Sequence, residues 1–330
     1  MGQRANYVIV GDGGFELFYS HWGANQVVRD FFWGPEHALA FVRAQDPTGE
    51  WLDEIWCEGG ALVDVPKKTL LVFGGENLCY DPLLRRVTLA SMQRVWAGWE
   101  VRWAREGLGD FVDHLGLSRD LVRSNQARET HDLAGLDTDD PEWPNGAVSV
   151  RLPAGDISLR RVDFNASDLL DFGPEAVDRL VARPGAATLR VPLYGDAAPN
   201  GGIHVDVAAR RVDLWDPGYD QDQRAWPGWR LEHHGDRFEA QEEATGGALV
   251  FVTRPQPEVV EELMNHLMGT SNFDPKRLLD GINQSRPGAR IEVNPHFFSY
   301  HPRELPVDER ARILTWALAG LPALWRQVDP

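Results

Sequence analysis

Two stretches of the chain, residues 7–73 and 149–215, read as copies of one another set 142 residues apart. Val8, Val10, Gly13, Phe15 and Leu17 align with Val150, Leu152, Gly155, Ile157 and Leu159 at that offset. Gly59-Gly60-Ala61-Leu62-Val63-Asp64-Val65 aligns with Gly201-Gly202-Ile203-His204-Val205-Asp206-Val207 in the same way. Gly34-Pro35-Glu36 answers to Gly173-Pro174-Glu175, and Trp96-Ala97-Gly98-Trp99 to Trp226-Pro227-Gly228-Trp229 at an offset of 130. A unit repeated within one chain constrains architecture before any motif does, because each copy must close a core of the same kind.

Local pattern fills in the unit. Residues 7–22 predict a hairpin turned at Gly11-Asp12-Gly13-Gly14, since glycine tolerates the positive φ of tight connections. Val27, Val28, Phe31 and Phe32 are spaced for one helical face. Pro35 then starts a second helix, because its missing N–H costs nothing in a first turn. A second hairpin is expected to pair 61–65 with 69–73, and 203–207 with 211–215. Beyond that the copies diverge. The first inserts a helical stretch at 81–95, a strand at 99–104 and a helix near 108–115; the second adds a strand at 248–253 and a helix at 258–268. The tail reads as a short strand at 291–293 and a helix from 307 to about 326.

Hairpins with helices between them predict an α+β fold. The expected form is a tandem duplication of an antiparallel hairpin/helix/hairpin unit, with two antiparallel sheets, helices packed on one face and a C-terminal helical cap. Residues 1–136 and 147–269 are the two units, 137–146 an acidic, proline-containing linker, and 270–330 the strand and capping helix. Gly11-Asp12-Gly13-Gly14 lies between two strands, which excludes it as a phosphate cradle. The acidic run through Pro141 lacks the ligand pattern of a calcium loop.

Composition narrows the function classes. Apolar residues make up 43% and charged residues 25% of the 330, as in a folded globular protein. No apolar run is long enough to span a membrane, and the N-terminal residues show no signal-type stretch. Asn6 stands where myristoylation at Gly2 would want Ser or Thr. Two cysteines, Cys57 and Cys79, are too few for a disulfide framework, and a cytoplasmic setting is expected. Thirty Arg against three Lys suggests a bacterial, GC-rich source. A formal charge of −17 repels nucleic acid and anionic lipid but suits a basic protein partner or a cationic small ligand.

Strong catalytic signatures are missing from the sequence. It has no Walker loop, no Gly-x-Ser-x-Gly elbow, no His-Glu-x-x-His helix and no Cys-x-x-Cys pair. The repeat supplies a filter instead: residues shared by both copies serve the scaffold, and reactive groups present in only one are candidates. His21-Trp22 faces Asp163-Phe164, Cys57-Glu58 faces Pro199-Asn200, His204 faces Leu62, and Glu76 faces Gly218. A Cys57 thiolate with His21 as base and Glu58 or Asp64 as orienter is the candidate catalytic set. Against it stand Cys57 as a small buried hydrophobe and His21 as a backbone-bonded imidazole. Trp22, Trp56, Glu76, Asn200, His204 and Asp216 are the candidate binding residues. His204 and Asp206 share a strand face, and with Asp216 they offer a metal set. Asp64 fills the Asp206 position without a His, however, which makes both aspartates turn residues, so no metal and no cofactor is assigned. His233 and His234, as strand neighbours, point to opposite faces.

Three classes of function stay open. The first is an intracellular interaction protein, inhibitor or immunity-like, presenting an acidic, aromatic surface to a basic partner. The second is a hydrolase or transferase with the Cys57, His21 and Glu58 site in a cleft between copies. The third is a small-molecule binding protein using that cleft without chemistry. Whether the chain is an enzyme, and its oligomeric state, the residues do not decide.

Overall fold

The computed structural model describes residues 2–124, 144–216, 225–269, 274–285 and 293–321. They fall into two compact units, one made of residues 1–76, 86–125 and 257–330, the other of 77–85 and 126–256. The helices beyond residue 257 thus belong with the first unit and not with the segment that precedes them. Residues 137–143 of the expected linker and 291–292 of the expected tail strand lie outside the described residues.

The first unit opens with β1 (Ala5–Gly11) and β2 (Gly14–Ser20), joined by the two-residue turn Asp12-Gly13. A 3-10 turn at Ala24–Gln26 leads into α1 (Val27–Phe31) and α2 (Pro35–Val42). Gly34 precedes α2 with φ +100° and Pro35 occupies its first turn. Then come β3 (Asp46–Pro47) and the second hairpin, β4 (Gly59–Asp64) with β5 (Thr69–Phe73). α3 (Glu76–Tyr80) and α4 (Pro82–Val95) cross the unit boundaries, and β6 (Glu100–Trp103) and α5 (Leu108–His114) return to the first unit. The strand order is β3-β2-β1-β4-β5-β6.

The second unit runs β7 (Gly146–Arg151), β8 (Ile157–Val162), a 3-10 turn at Ala166–Leu170, α6 (Glu175–Val181) and β9 (Leu189–Pro192). It continues with β10 (Gly201–Asp206), β11 (Arg211–Trp215), β12 (Arg230–Gly235), α7 (Glu239–Ala244) and β13 (Leu249–Val252). Its sheet is ordered β12-β11-β10-β7-β8, with β13 and β9 as a separate parallel pair. α8 (Gln256–Met268), α9 (Pro275–Ser285) and α10 (Val307–Leu318) follow. No helix among the described residues is long and apolar enough to cross a membrane.

The two sheets share strand order and sense. Each hairpin is antiparallel, while β1/β4 and β5/β6, like β7/β10 and β11/β12, are parallel. The sheets are therefore mixed rather than wholly antiparallel, because β4 inserts beside β1 and not beside β2. Asp64 Oδ1 accepts the Lys67 N–H and Asp206 Oδ1 the Ala209 N–H, both at 2.8 Å, so each aspartate closes its hairpin turn. Lys68 and Arg210 follow with φ +50° and +49°. Trp96 Nε1 donates to the Phe31 carbonyl at 2.8 Å and Trp226 Nε1 to that of Leu170 at 2.9 Å. Each indole meets its neighbour, Trp99 or Trp229, edge-on at about 5 Å.

One register departs from the sequence alignment. Val8 is opposite Leu62, but it is Ser149, not Val150, that stands opposite His204. The connection absorbs the shift: four residues separate the paired Val10 and Phe15, and five separate Arg151 and Ile157.

Both faces of each sheet are covered. Tyr7 packs on Phe31 and Phe41 of α1 and α2, with ring centroids 5.4 Å apart in each case. On the other face Val8, Leu17, Leu62 and Leu71 cluster with Leu108, Phe111 and Val112 of α5. In the second unit Val148, Val150, Ile203 and Val205 pack on Ala176, Val177 and Leu180 of α6, while Ala147, Leu159 and Trp215 meet Val191 of β9 and Phe251 of β13. At roughly 25 cal/mol per Å² of apolar surface removed from water, these rows are the main source of stability.

Candidate functional site

His21 and Trp22 follow β2 and are buried. The His21 N–H donates to the Ser299 carbonyl at 2.6 Å, its Nδ1 lies 2.8 Å from the Tyr19 hydroxyl, and Trp22 Nε1 donates to the Phe297 carbonyl at 2.6 Å. The pair thus fastens residues 297–299 within the first unit. Cys57 is buried, and its Sγ donates to the Gly59 carbonyl at 3.2 Å. Burial pushes the thiol up to about 12, the reverse of what a nucleophile needs. Glu58 is exposed and accepts the Arg4 N–H at 2.8 Å. Asp64 holds the Lys67 N–H and lies 2.8 Å from His114 Nε2. The described hydrogen bonds of His21, Cys57 and Glu58 therefore turn to different partners.

Trp56 sits beside them on the surface. It is 47% exposed, as is Ile55, and the Arg4 guanidinium stacks 4.4 Å from its ring centroid. Asp53 Oδ1 accepts the N–H of Ile55 and of Trp56 at 3.0 and 2.9 Å, so the loop is shaped by its own acid. The Glu54 N–H donates to Val122 at 2.8 Å, which brings the loop to Leu121, itself 51% exposed. Glu54, Glu58 and Asp120 are exposed around these apolar groups, with Arg4 and Arg123 also present. Glu76 opens α3, and its side chain, like Gly218, lies outside what the structure describes.

In the second unit Asn200 is built into the connection before β10: its Nδ2 donates to Asn165 Oδ1 at 3.2 Å and its N–H to the Asn145 carbonyl at 2.8 Å. The Asp216 N–H donates to Gly235 at 2.8 Å. His204 is buried, with Nδ1 2.9 Å from Ser149 Oγ. Gln241 of α7 knits the same region, donating to Ser149 Oγ and to the Ala147 and Ile203 carbonyls while accepting the Trp215 indole N–H. Burial is the main cause that lowers His204 to about 4, so its imidazole is neutral at physiological pH.

Register shows what distinguishes the units. Across the first sheet a row of in-register partners reads Leu17, Val8, Leu62, Leu71 and Arg102. Across the second, the same row reads Leu159, Ser149, His204, Asp213 and Glu232. The three central places are apolar in the first sheet, Val8, Leu62 and Leu71, and polar in the second, Ser149, His204 and Asp213. His234 joins the second row from β12, its Nε2 2.9 Å from Asp213 Oδ1. Of this row the sequence alignment singles out His204, because the one-residue shift sets Ser149 against Tyr7 and not against Val8. No protein-family model matches the chain, and no curated protein or solved structure is detectably similar to it.

Proposed function

We propose that the chain is an intracellular bacterial interaction protein, of inhibitor or immunity type, whose first unit offers the 53–58 loop to a basic protein partner. The observation that carries this reading is the pair Ile55 and Trp56, each 47% exposed on a short loop rimmed by acids. Exposed aromatic and aliphatic anchors held in a fixed backbone lose little entropy on binding and dominate interface energetics. The guanidinium of Arg4 already occupies the Trp56 ring, and a partner's arginine would find the same electrostatics. The charge of −17 steers a cationic partner toward the chain. The hydrolase alternative would require a Cys57 thiolate, which the thiol's burial disfavours.

Fluorescence anisotropy with a labelled arginine-rich peptide tests the proposal. Ile55→Ser and Trp56→Ala leave the charge untouched, so any loss they cause is specific to the loop. We expect each to weaken binding by about tenfold or more, as removal of a central anchor does, with affinity falling as salt rises. Undiminished affinity in both variants would overturn the assignment to this loop.

A further inference from the structure

The polar row of the second sheet ends in a group the interaction reading does not use. Asp213 and Glu232 are direct partners across the parallel β11/β12 pair, and His234 follows two residues on, where a register shift between Leu214 and Trp215 turns it toward Asp213. One donor atom from each of the three lies within 4.8 Å of the others. Asp213 is the buried member, its side chain only 8% exposed. Its Oδ1 contacts His234, and its Oδ2 takes part in no hydrogen bond, although Arg211 Nε stands 2.8 Å away out of alignment. Two carboxylates set directly across a sheet repel unless a cation lies between them. Here Arg211 serves Asp213 and Arg230 serves Glu232 at 3.1 Å, with those side chains 40% and 73% exposed and so able to swing into solvent.

We propose that Asp213, Glu232 and His234 form a site for a divalent transition-metal ion of the zinc class. One imidazole and two carboxylates are the borderline N/O donor set such ions take, with a fourth position left to water. A hard ion such as Mg2+ or Ca2+ wants six or more oxygens and is not matched. The scaffold does not require these residues: Leu71, Arg102 and Ala104 stand at the corresponding places of the first unit. Binding moves the His234 nitrogen and the Asp213 oxygen from mutual contact onto the ion, and displaces the two arginines.

Isothermal titration with ZnCl2 on the whole chain, repeated with CoCl2 for its visible spectrum, tests the assignment. We expect one saturable site lost in His234→Ala and weakened at least about tenfold in Asp213→Asn, since even residues that only support a metal's ligands are worth that much. Arg211→Ala should tighten it by removing the competing cation. MgCl2 should leave the chain unchanged. Should Asp213→Asn fail to fold, Glu232→Gln, with a side chain 39% exposed, carries the same expectation. Absence of saturable zinc binding, or binding equal to wild type in His234→Ala and Glu232→Gln, overturns the proposal.

Discussion

Single residues show how burial redirects chemistry that a sequence advertises. Cys57, His21 and Glu58 are the residue types of a nucleophile, a base and an orienter, yet the fold gives the thiol to a backbone carbonyl and the imidazole to Tyr19, while the His21 backbone N–H holds Ser299. His204 carries a consequence for acid stability. Its folded value of about 4 lies below the 6.5 of an unfolded histidine, so the fold favours the neutral ring. That contribution is complete above pH 6.5 and is lost as the pH falls toward 4. A difference of this size is about 3 kcal/mol. His204→Leu, which installs the residue found at position 62, should flatten the fall in unfolding free energy between pH 6.5 and 4 by that share. His37, also lowered to about 4 by burial, will leave a residual slope. Denaturant titrations across this range check the point, and an unchanged slope would contradict the buried, neutral assignment.

At the scale of elements, the repeated signals were the legible ones. The hairpins and the Gly-Pro-Glu helix start follow from residues whose roles are local, a glycine with positive φ and a proline in a first turn; the Trp-x-Gly-Trp turn is visible only by its repetition, since its first indole reaches a carbonyl far back in the chain. Strand neighbours were not legible, because which strand inserts beside β1 depends on packing far along the chain. β9 and α7 also escaped. Leu189–Pro192 is too short for a pattern, and α7 pairs polar residues with only two alanines while its function in the fold is to bury Gln241. The off-by-one in β7 comes from the one extra residue in the turn between β7 and β8, which moves each side chain of β7 by one place against its partners. The turn correspondence is testable. Trp96→Phe and Trp226→Phe each remove one indole hydrogen bond to a carbonyl, at a cost of about 0.5–1.5 kcal/mol. Chemical denaturation should show similar losses for the two, and a negligible loss for either would mean that its turn is held by something else.

For the whole molecule, the account separates scaffold from function by what the two sheets do not share. The first unit keeps an apolar row beneath α5 and carries an acidic, aromatic loop at 53–58. In the second the corresponding row carries Ser149, His204, Asp213 and Glu232. Net charge then acts over a longer range than any single contact: −17 on 330 residues draws cationic partners and keeps like-charged chains apart, with an effect screened over about 10 Å at 0.1 M salt. The most direct test places a photo-crosslinking residue at position 55 in cells of the native host and identifies what it captures, beside the same substitution in a Glu54→Lys, Glu58→Lys background. The account predicts one basic protein joined at position 55 and lost on charge reversal. Capture that is unaffected by charge reversal, or only of acidic proteins, would contradict it.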